Sequence, residues 1–453
     1  MKVIKFGGSS VADGGQLEKV KDIIAADSNR RIVVVSAPGK RYKDDVKVTD
    51  LLIELATRAL TGDDISHVFV QVIERYQEVA NELGIKEPVI EEITQNLTEL
   101  VAADVSQADY YLDAIKASGE DNNAKLIAAY LRESGINAQY INPKEAGLFL
   151  SDEPGDARVL PESYLNLYKL RDLEGVLVFP GFFGYTKEGR VVTFSRGGSD
   201  ITGAILANGV RATLYENFTD VDSIYVANPS QVENPVGIDH LTYAEMRELS
   251  YAGFSVFHDE ALYPAFAEGI PVCIKNTNNP TAPGTMITRT RPTNPYPISG
   301  IASTSGFSSI YIKKYLMNRE VGFMRRVLSV LEEFEVSVEH VVSGIDDMDV
   351  IFRADMVSSK DMKKMLEKIQ VVTAADSVTR QENICLMMIV GEGMIETVGN
   401  TARATKALSE AGINLEMINQ GSSETSVMFG LKEEVEADAV RAIYQEFFGD
   451  LSQ

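Results

Sequence analysis

Val3-Ile4-Lys5-Phe6-Gly7-Gly8-Ser9-Ser10 begins as a short apolar strand and breaks into two glycines and two serines. A helical pattern follows, with Val11, Leu17, Val20 and Ile24 on one face. A strand that gives way to glycine and then to a helix brings backbone N–H groups close to an anion. The helix N-terminus adds partial positive charge there. Lys5 stands beside the glycines, ready to neutralise a phosphate oxygen. The plain alternative is a strand–turn–helix without a ligand. No G-x-x-x-x-G-K-[ST] loop occurs, and the nearest approach to G-x-G-x-x-G, Gly391-Glu392-Gly393, lacks its third glycine.

Working outward, Arg31-Ile32-Val33-Val34-Val35-Ser36-Ala37-Pro38-Gly39 is a continuous apolar run ending in small residues, as in a buried parallel strand. The two strands and the helix between them make a βαβ unit, with Ser36 expected near Gly8 beyond the strand ends. A charged loop covers Lys40 to Lys47, and Thr49 or Asp50 is placed to cap a helix from Leu51. Amphipathic helices are expected around 50–60, 65–83, 88–103 and 120–134. Ser118-Gly119 reads as a turn that puts Glu120 near a helix N-terminus, where a carboxylate is ordinarily a favourable first-turn charge. Gly175 to Phe182 is nearly all apolar and is expected to be central in the sheet.

A second strand–Gly-Gly–helix unit follows: Val191-Val192-Thr193-Phe194-Ser195-Arg196-Gly197-Gly198-Ser199-Asp200. Arg196 offers a planar fork for a carboxylate or phosphate. Ser199 and Asp200 stand where an N-cap belongs. Asp200 as a cap and Arg196 in a surface ion pair is the alternative, but it leaves the repeated unit unexplained. Thr219 and Asp220 are candidates for a ribose or base edge and Tyr225 for base stacking, against roles as turn formers and a packed aromatic.

The formal charge of −23 over 453 residues argues against nucleic acid or an anionic membrane as partner. Cys273 and Cys385 fit neither a metal spacing nor a disulfide framework, the four histidines are scattered, and no metal-ligating residues are assigned. No apolar run reaches spanning length and the N-terminus is not a signal peptide, so a cytoplasmic protein is expected. Arg291-Pro292-Thr293-Asn294-Pro295-Tyr296-Pro297 reads as a linker. Beyond it, Ile310-Tyr311-Ile312 and Ile384 to Val390 each open a strand–helix–strand–strand–helix repeat, as in ferredoxin-like modules. A tandem of such modules suits a sensor; the alternative is a passive dimerisation arm.

Lys5-Phe6-Gly7-Gly8-Ser9-Ser10-Val11, Ser195 to Asp200 and Thr219-Asp220, in that order before a repeat, resemble the aspartokinases of the amino acid kinase superfamily. Ser343 to Asp347 also resembles a segment of their regulatory domains. The resemblance implies an α/β catalytic domain over 1–290, a three-layer αβα sandwich with a mostly parallel central sheet. A linker over 291–308 and two ferredoxin-like ACT α+β domains, 309–381 and 382–453, would follow. It implies transfer of phosphate from ATP, with Mg²⁺, to the β-carboxylate of L-aspartate, opening lysine, threonine and methionine synthesis. Lys5, Phe6, Gly7 and Gly8 would hold the transferring phosphate, with Lys5, Gly8 and Asp200 catalytic. Ser36, Thr49, Glu120, Arg196 and Ser199 would surround the amino acid. Thr219, Asp220, Tyr225, Ser230, Ser255 and Val256 would line the nucleotide pocket. Aspartokinases often carry basic residues at the Ser230 and Ser255 positions, so another lysine or the metal would have to compensate. Gly322, Phe323, Met324, Ser337, Val338 and Glu339 match the positions of a feedback effector, with lysine favoured over threonine because Glu339 suits an ammonium. ACT pairing makes a homodimer the smallest expected assembly. The acceptor carboxylate ordinarily releases its proton at about pH 3.9 and is ionised at neutral pH, so no general base is required. The rivals are a kinase for another amino acid or a nucleotide, which the ACT pair disfavours, and a catalytically inactive sensor.

Overall fold

The apolar runs become buried parallel strands. The computed structural model describes residues 1–195, 197–254, 261–292 and 296–449. Of these, the residues within 1–224, 237–247 and 256–292 form one compact unit, and those within 225–236, 248–255 and 293–453 form another.

The first unit is built on eight strands: β1 (Lys2–Phe6), β2 (Arg30–Val35), β3 (Ala138–Tyr140), β4 (Val176–Pro180), β5 (Leu214–Thr219), β6 (His240–Thr242), β7 (Val272–Asn276) and β8 (Thr285–Thr288). Their order is β6-β8-β7-β5-β1-β2-β4-β3, parallel throughout except for the β7–β8 pair. Helices α1 (Gly14–Ala25), α2 (Val48–Thr61), α3 (Ser66–Leu83), α4 (Val89–Val101) and α5 (Ala108–Glu133) share one core with Ile4, Phe6, Val33, Val35 and Phe218. Helix α6 (Gly198–Gly209) packs over β1 and β5. Because side chains alternate along a strand, Ile4 and Phe6 enter the α1–α5 core while Lys5 faces the opposite layer.

Strand β1 is the point at which the order turns. The chain runs from β1 to β2 and β4 on one side, then returns to β5 and β7 on the other. In open parallel sheets a ligand crevice lies beyond the carboxyl end of the strand where the order reverses. Here that end is Gly7-Gly8.

Several local expectations are corrected. The strand at Val176–Pro180 is seventh of eight, not central; its apolarity reflects cover on both faces rather than position. Gly8–Val11 is a 3₁₀ turn, and α1 starts only at Gly14, where Asp13 accepts from the Gln16 amide at 2.8 Å. Neither Thr49 nor Asp50 caps α2, whose cap is Lys47 without a side-chain bond. Ser118-Gly119 is no turn: α5 runs unbroken through it for 26 residues. A Cβ at Gly119 would lie 2.9 Å from Ala37 Cβ and 3.0 Å from Leu52 Cδ1, so close approach, not chain reversal, requires the glycine.

The second unit holds a six-stranded sheet from β9 (Gly300–Lys313), β10 (His340–Ser343), β11 (Asp347–Arg353), β12 (Ser377–Val390), β13 (Met417–Asn419) and β14 (Ser426–Lys432), in the order β10-β11-β9-β12-β14-β13. Helices α7 (Phe323–Glu333), α8 (Ser359–Thr373), α9 (Asn400–Glu410) and α10 (Glu436–Phe448) complete it. Both repeats thus follow the expected strand–helix–strand–strand–helix order. The two 14-residue strands are shared. Phe307–Lys313 pairs with β11 and with Ser377–Ile384, whereas Gly300–Thr304 pairs with Leu386–Val390, which in turn pairs with β14. Residues 300–308, expected as the end of a linker, lie within strand β9. The division expected at 381/382 falls inside β12. Residues 293–295 of the linker lie outside the described residues. No helix among the described residues is long and apolar enough to cross a membrane.

Gly203 shows how closely α6 lies on the sheet. A Cβ there would stand 2.4 Å from the Tyr215 hydroxyl, which is fully buried and bonds the Asp200 carbonyl at 3.2 Å. Overpacking of this kind costs about 1–3 kcal/mol. Gly203→Ala is expected to lower the melting temperature by several degrees; an unchanged transition would show that α6 has slack over β5.

Candidate active site

Lys5 and Asn217 are register partners on β1 and β5. They occupy the same face by parity, and both are buried. Above them, the first turn of α6 brings in Asp200. Lys5 Nζ lies 2.6 Å from Asp200 Oδ1, and Asn217 Nδ2 donates to the same oxygen at 2.5 Å. Asp200 is thus not an N-cap. The cap is Gly197, at φ +75°, a conformation glycine adopts without strain. The second glycine answers a different need, since a Cβ at Gly198 would meet the Phe182 ring at 2.6 Å. Ser199 is buried beside Gly181, where a Cβ would lie 2.6 Å from its Oγ. Arg196 lies outside the described residues.

Gly7 follows β1 in extended conformation, and its amide donates to Phe218 O at 3.1 Å. Gly8 is pressed against the end of β2. The Gly39 amide donates to Gly8 O at 2.9 Å, and a Cβ on Gly39 would lie 2.6 Å from Gly8 C. Ser36, whose amide donates to Phe6 O at 3.2 Å, completes the join, and Asn123 Nδ2 holds the Ser36 carbonyl at 2.7 Å. The ends of β1 and β2 therefore form one continuous backbone surface.

This surface is a wall of a cleft of about 510 Å³. Gly8, Ser9, Ser36, Thr49, Glu120 and Asp220 all line it, so residues from β1, β2, α2, α5 and the end of β5 meet at one opening. Lys40, Lys43 and Lys47 line it as well. In the sequence they are legible only as a charged loop. Asn217 escapes sequence reasoning too, and only the β1–β5 pairing reveals it. Thr219 ends β5, and its hydroxyl donates to Asp220 at 3.2 Å. Phe6 is a core residue whose side chain stacks on Phe218 at 5.1 Å, which leaves only its backbone for the site. Tyr225 and Ser230 belong to the second unit. Ser255 and Val256 lie outside the described residues.

Glu120 is 5 % exposed, and its Oε2 has no hydrogen-bond partner among the described residues. Burial dominates its titration and pushes the carboxyl up to about 8, against the opposing pull of the Ala37 backbone hydrogen bond and the Lys5 charge. A buried carboxyl with a free oxygen facing a cleft is arranged to receive a cation or a donor.

In the second unit, Gly322 starts α7 at φ +76°. Phe323 is a core side chain, while Met324 and Ser337 are exposed. Val338 packs on the first module's core. Glu339 accepts from the Tyr251 hydroxyl and lies 4.0 Å from Arg353 Nε. Phe323 can therefore offer an effector its backbone only.

The amino acid kinase family matches over residues 1–276 and the ACT domain over 387–447. Aspartokinase 3 of Bacillus subtilis is 59% identical over 99% of each chain. The chain belongs to the aspartokinase family. Among solved members, the Clostridium acetobutylicum aspartate kinase is 39% identical with a TM-score of 0.87, covering 99% of this chain and 100% of that one. Escherichia coli aspartokinase III, in complex with aspartate and ADP (R-state), is 25% identical with a TM-score of 0.79 over 99% of this chain and 100% of that one. The same enzyme with lysine and aspartate (T-state) gives 26% and 0.74 over 99% of each. The family's fold, a mostly parallel αβα unit with ACT-type antiparallel modules, is the one seen here.

The Glu120 carboxyl generates a stability prediction. A glutamate in the unfolded chain releases its proton near pH 4.5, whereas the folded site holds it to about 8. Between those values the unfolded chain binds fewer protons, so stability falls as pH rises through the window. Each pH unit separating the two values is worth about 1.4 kcal/mol. Glu120→Gln should melt several degrees above the parent at pH 8.5 without ligands, with the gain vanishing near pH 4. A gain independent of pH would contradict this assignment.

Proposed function

We propose that this aspartokinase transfers the γ-phosphoryl group of ATP to the β-carboxylate of L-aspartate, giving 4-phospho-L-aspartate and ADP. The observation that carries the reading is the shared cleft: the Gly8-Ser9 turn and the Ser36, Thr49 and Glu120 side chains open onto the same space. A carboxylate oxygen attacks phosphorus as the bond to the β,γ-bridging oxygen breaks, and the electron pair leaves with ADP. The nucleophile needs no base; the site must align the reactants and neutralise charge.

Lys5 and the amides of Gly7 and Gly8 are suited to the transferring phosphoryl group. Asp200 and Asn217 fix where the Lys5 ammonium sits, so its charge is aimed before substrates arrive. Glu120 would receive the α-ammonium of aspartate, with Ser36, Thr49 and Ser199 around it and Arg196 on the α-carboxylate. Thr219 and Asp220 would meet the nucleotide, joined by Tyr225, Ser230, Ser255 and Val256. Mg²⁺ would travel with the nucleotide. Among the described residues no group of three or more His, Cys, Asp or Glu forms a cage for it, and magnesium usually keeps phosphate and water ligands with one or two carboxylates. When bound it would offset phosphate charge, and Asp200 and Asp220 would be the carboxylates to hold it. The product would open the synthesis of lysine, threonine and methionine. We further propose feedback by lysine at the first ACT module, through Gly322 to Met324 and Ser337 to Glu339, in a homodimer or larger assembly. The lysine complex of the E. coli relative supports that choice.

Trapping the acyl phosphate with hydroxylamine, in the presence of L-aspartate and MgATP, tests the reaction directly. Lys5→Ala should lower kcat by on the order of a hundredfold or more, as for loss of a preorganised charge at a transition state. Arg196→Ala should chiefly raise the KM for aspartate. A near-parental kcat for Lys5→Ala would overturn its role. Aspartate binding at pH 7 should also release a proton as Glu120 ionises beside the ammonium, read as calorimetric heats that vary with buffer. Lysine at millimolar concentration should inhibit and raise the melting temperature, with threonine as the contrasting arm; indifference to both would remove the sensor assignment.

A further inference from the structure

The net charge of −23 poses a difficulty for a site that must collect anions. Both substrates are negative, and the protein as a whole repels them. The cleft departs from this average. Its rim carries Lys40, Lys43 and Lys47, all exposed, and among the described residues none of the three lies within ion-pair distance of a carboxylate. The only hydrogen bond from their ammonium groups, again among the described residues, is a long one from Lys40 Nζ to Lys43 O at 3.5 Å. Arg41, in the same loop, is committed differently.

Asp45 is buried and accepts from the Arg41 amide and Nε, both at 2.9 Å, from Arg41 Nη2 at 3.0 Å, and from Arg75 Nη1 at 2.6 Å. Arg75, itself buried on α3, also donates to Gly39 O at 2.5 Å. These bonds hold the Asp45 carboxyl well below the usual carboxylate range, the Arg41 side chain being the largest cause. One buried carboxylate thus ties the loop to α3 and to Gly39, whose amide grips the Gly8 turn. Lys40 leaves this anchor beside the glycine turn, and Lys47 leaves it at the start of α2, two residues before Thr49. Glu120, nine-tenths buried with a free oxygen, opens on the same space.

We propose that Lys40, Lys43 and Lys47 form an anchored cationic wall that draws in and holds the anionic groups of the substrates, the nucleotide phosphates and the acceptor carboxylates, at the cleft. The wall supplies basic charge in a chain that carries serine at 230 and 255. This inference rests on the reading of the cleft as the phosphoryl-transfer site.

The test compares the parent with K40Q/K43Q/K47Q and with K40R/K43R/K47R in the hydroxamate assay, over a range of salt concentrations. The glutamine triple should raise KM for MgATP or for aspartate roughly tenfold and lose most of the fall of kcat/KM with salt, with kcat much less affected. The arginine triple should restore both KM and salt dependence, and melting temperatures identify any variant that has failed to fold. Parental KM and salt dependence in the glutamine triple would overturn the wall while leaving the proposed reaction intact. No trapped product from the parent itself would instead overturn the reading beneath it.

Discussion

The ion pair between Lys5 and Asp200 is the constraint on which the site depends. It joins two separate strand–Gly-Gly–helix units, one at the end of β1 and one before α6, at 2.6 Å. Both groups are largely buried, and a charge left unpaired there would be expensive. Each glycine around them serves the approach: Gly197 turns the chain, Gly198 clears Phe182, and Gly203 lets α6 settle over Tyr215. Asn217 then takes a further hydrogen bond to the same Asp200 oxygen, so the carboxylate is held from two neighbouring strands. A lysine fixed in this way needs little reorganisation when negative charge arrives, which is the electrostatic condition for phosphoryl transfer.

Glu120 is the opposing case. Nothing among the described residues compensates its burial fully, and one oxygen is left without a partner there. A purely structural carboxylate would have been paired or exposed. The cost is borne by the free protein and would be removed by a cation in the cleft, so the same feature that weakens the fold suits the proposed role of receiving the α-ammonium of an amino acid. The Lys5 charge reaches Glu120 and opposes the rise that burial imposes, without cancelling it.

Much of this was legible in the chain. The glycine turns, Lys5, Asp200, Thr219 and Asp220 are local signals, because strand periodicity and glycine placement are read over a few residues. What was misread depended on distant neighbours. Ser118-Gly119 looks like a turn because those residue types usually make one; its true cause, Ala37 and Leu52 pressed against α5, lies more than sixty residues away in sequence. Asn217 carries no signal of its own and matters because β5 pairs with β1. Lys40 to Lys47 is legible as a charged loop, but its anchoring is not, because the pairing of Asp45 with Arg75 spans thirty residues. Val176–Pro180 looks central because burial on both faces is what its composition records, and composition does not report strand order.

The regulatory unit follows the same logic at a larger scale. The sequence repeat suggests two modules in tandem, each complete before the next begins. The sheet is arranged otherwise, because Gly300–Thr304 completes the strands of the second module while Phe307–Lys313 belongs to the first. The register shifts between Thr304 and Phe307 mark the change of allegiance within β9. Ser303 and Ser305 on that segment donate to Glu436 at the start of α10, tying the changeover to the second module's last helix. Neither module can be excised as a contiguous piece without removing a strand from the other. A displacement of β9 or β12 caused in one module is therefore carried by continuous backbone into the next, and hydrogen bonds along the pair resist independent movement. Two modules joined by a flexible tether could move independently; two modules sharing their central strands form one sheet, so a ligand at either would act on strands common to both.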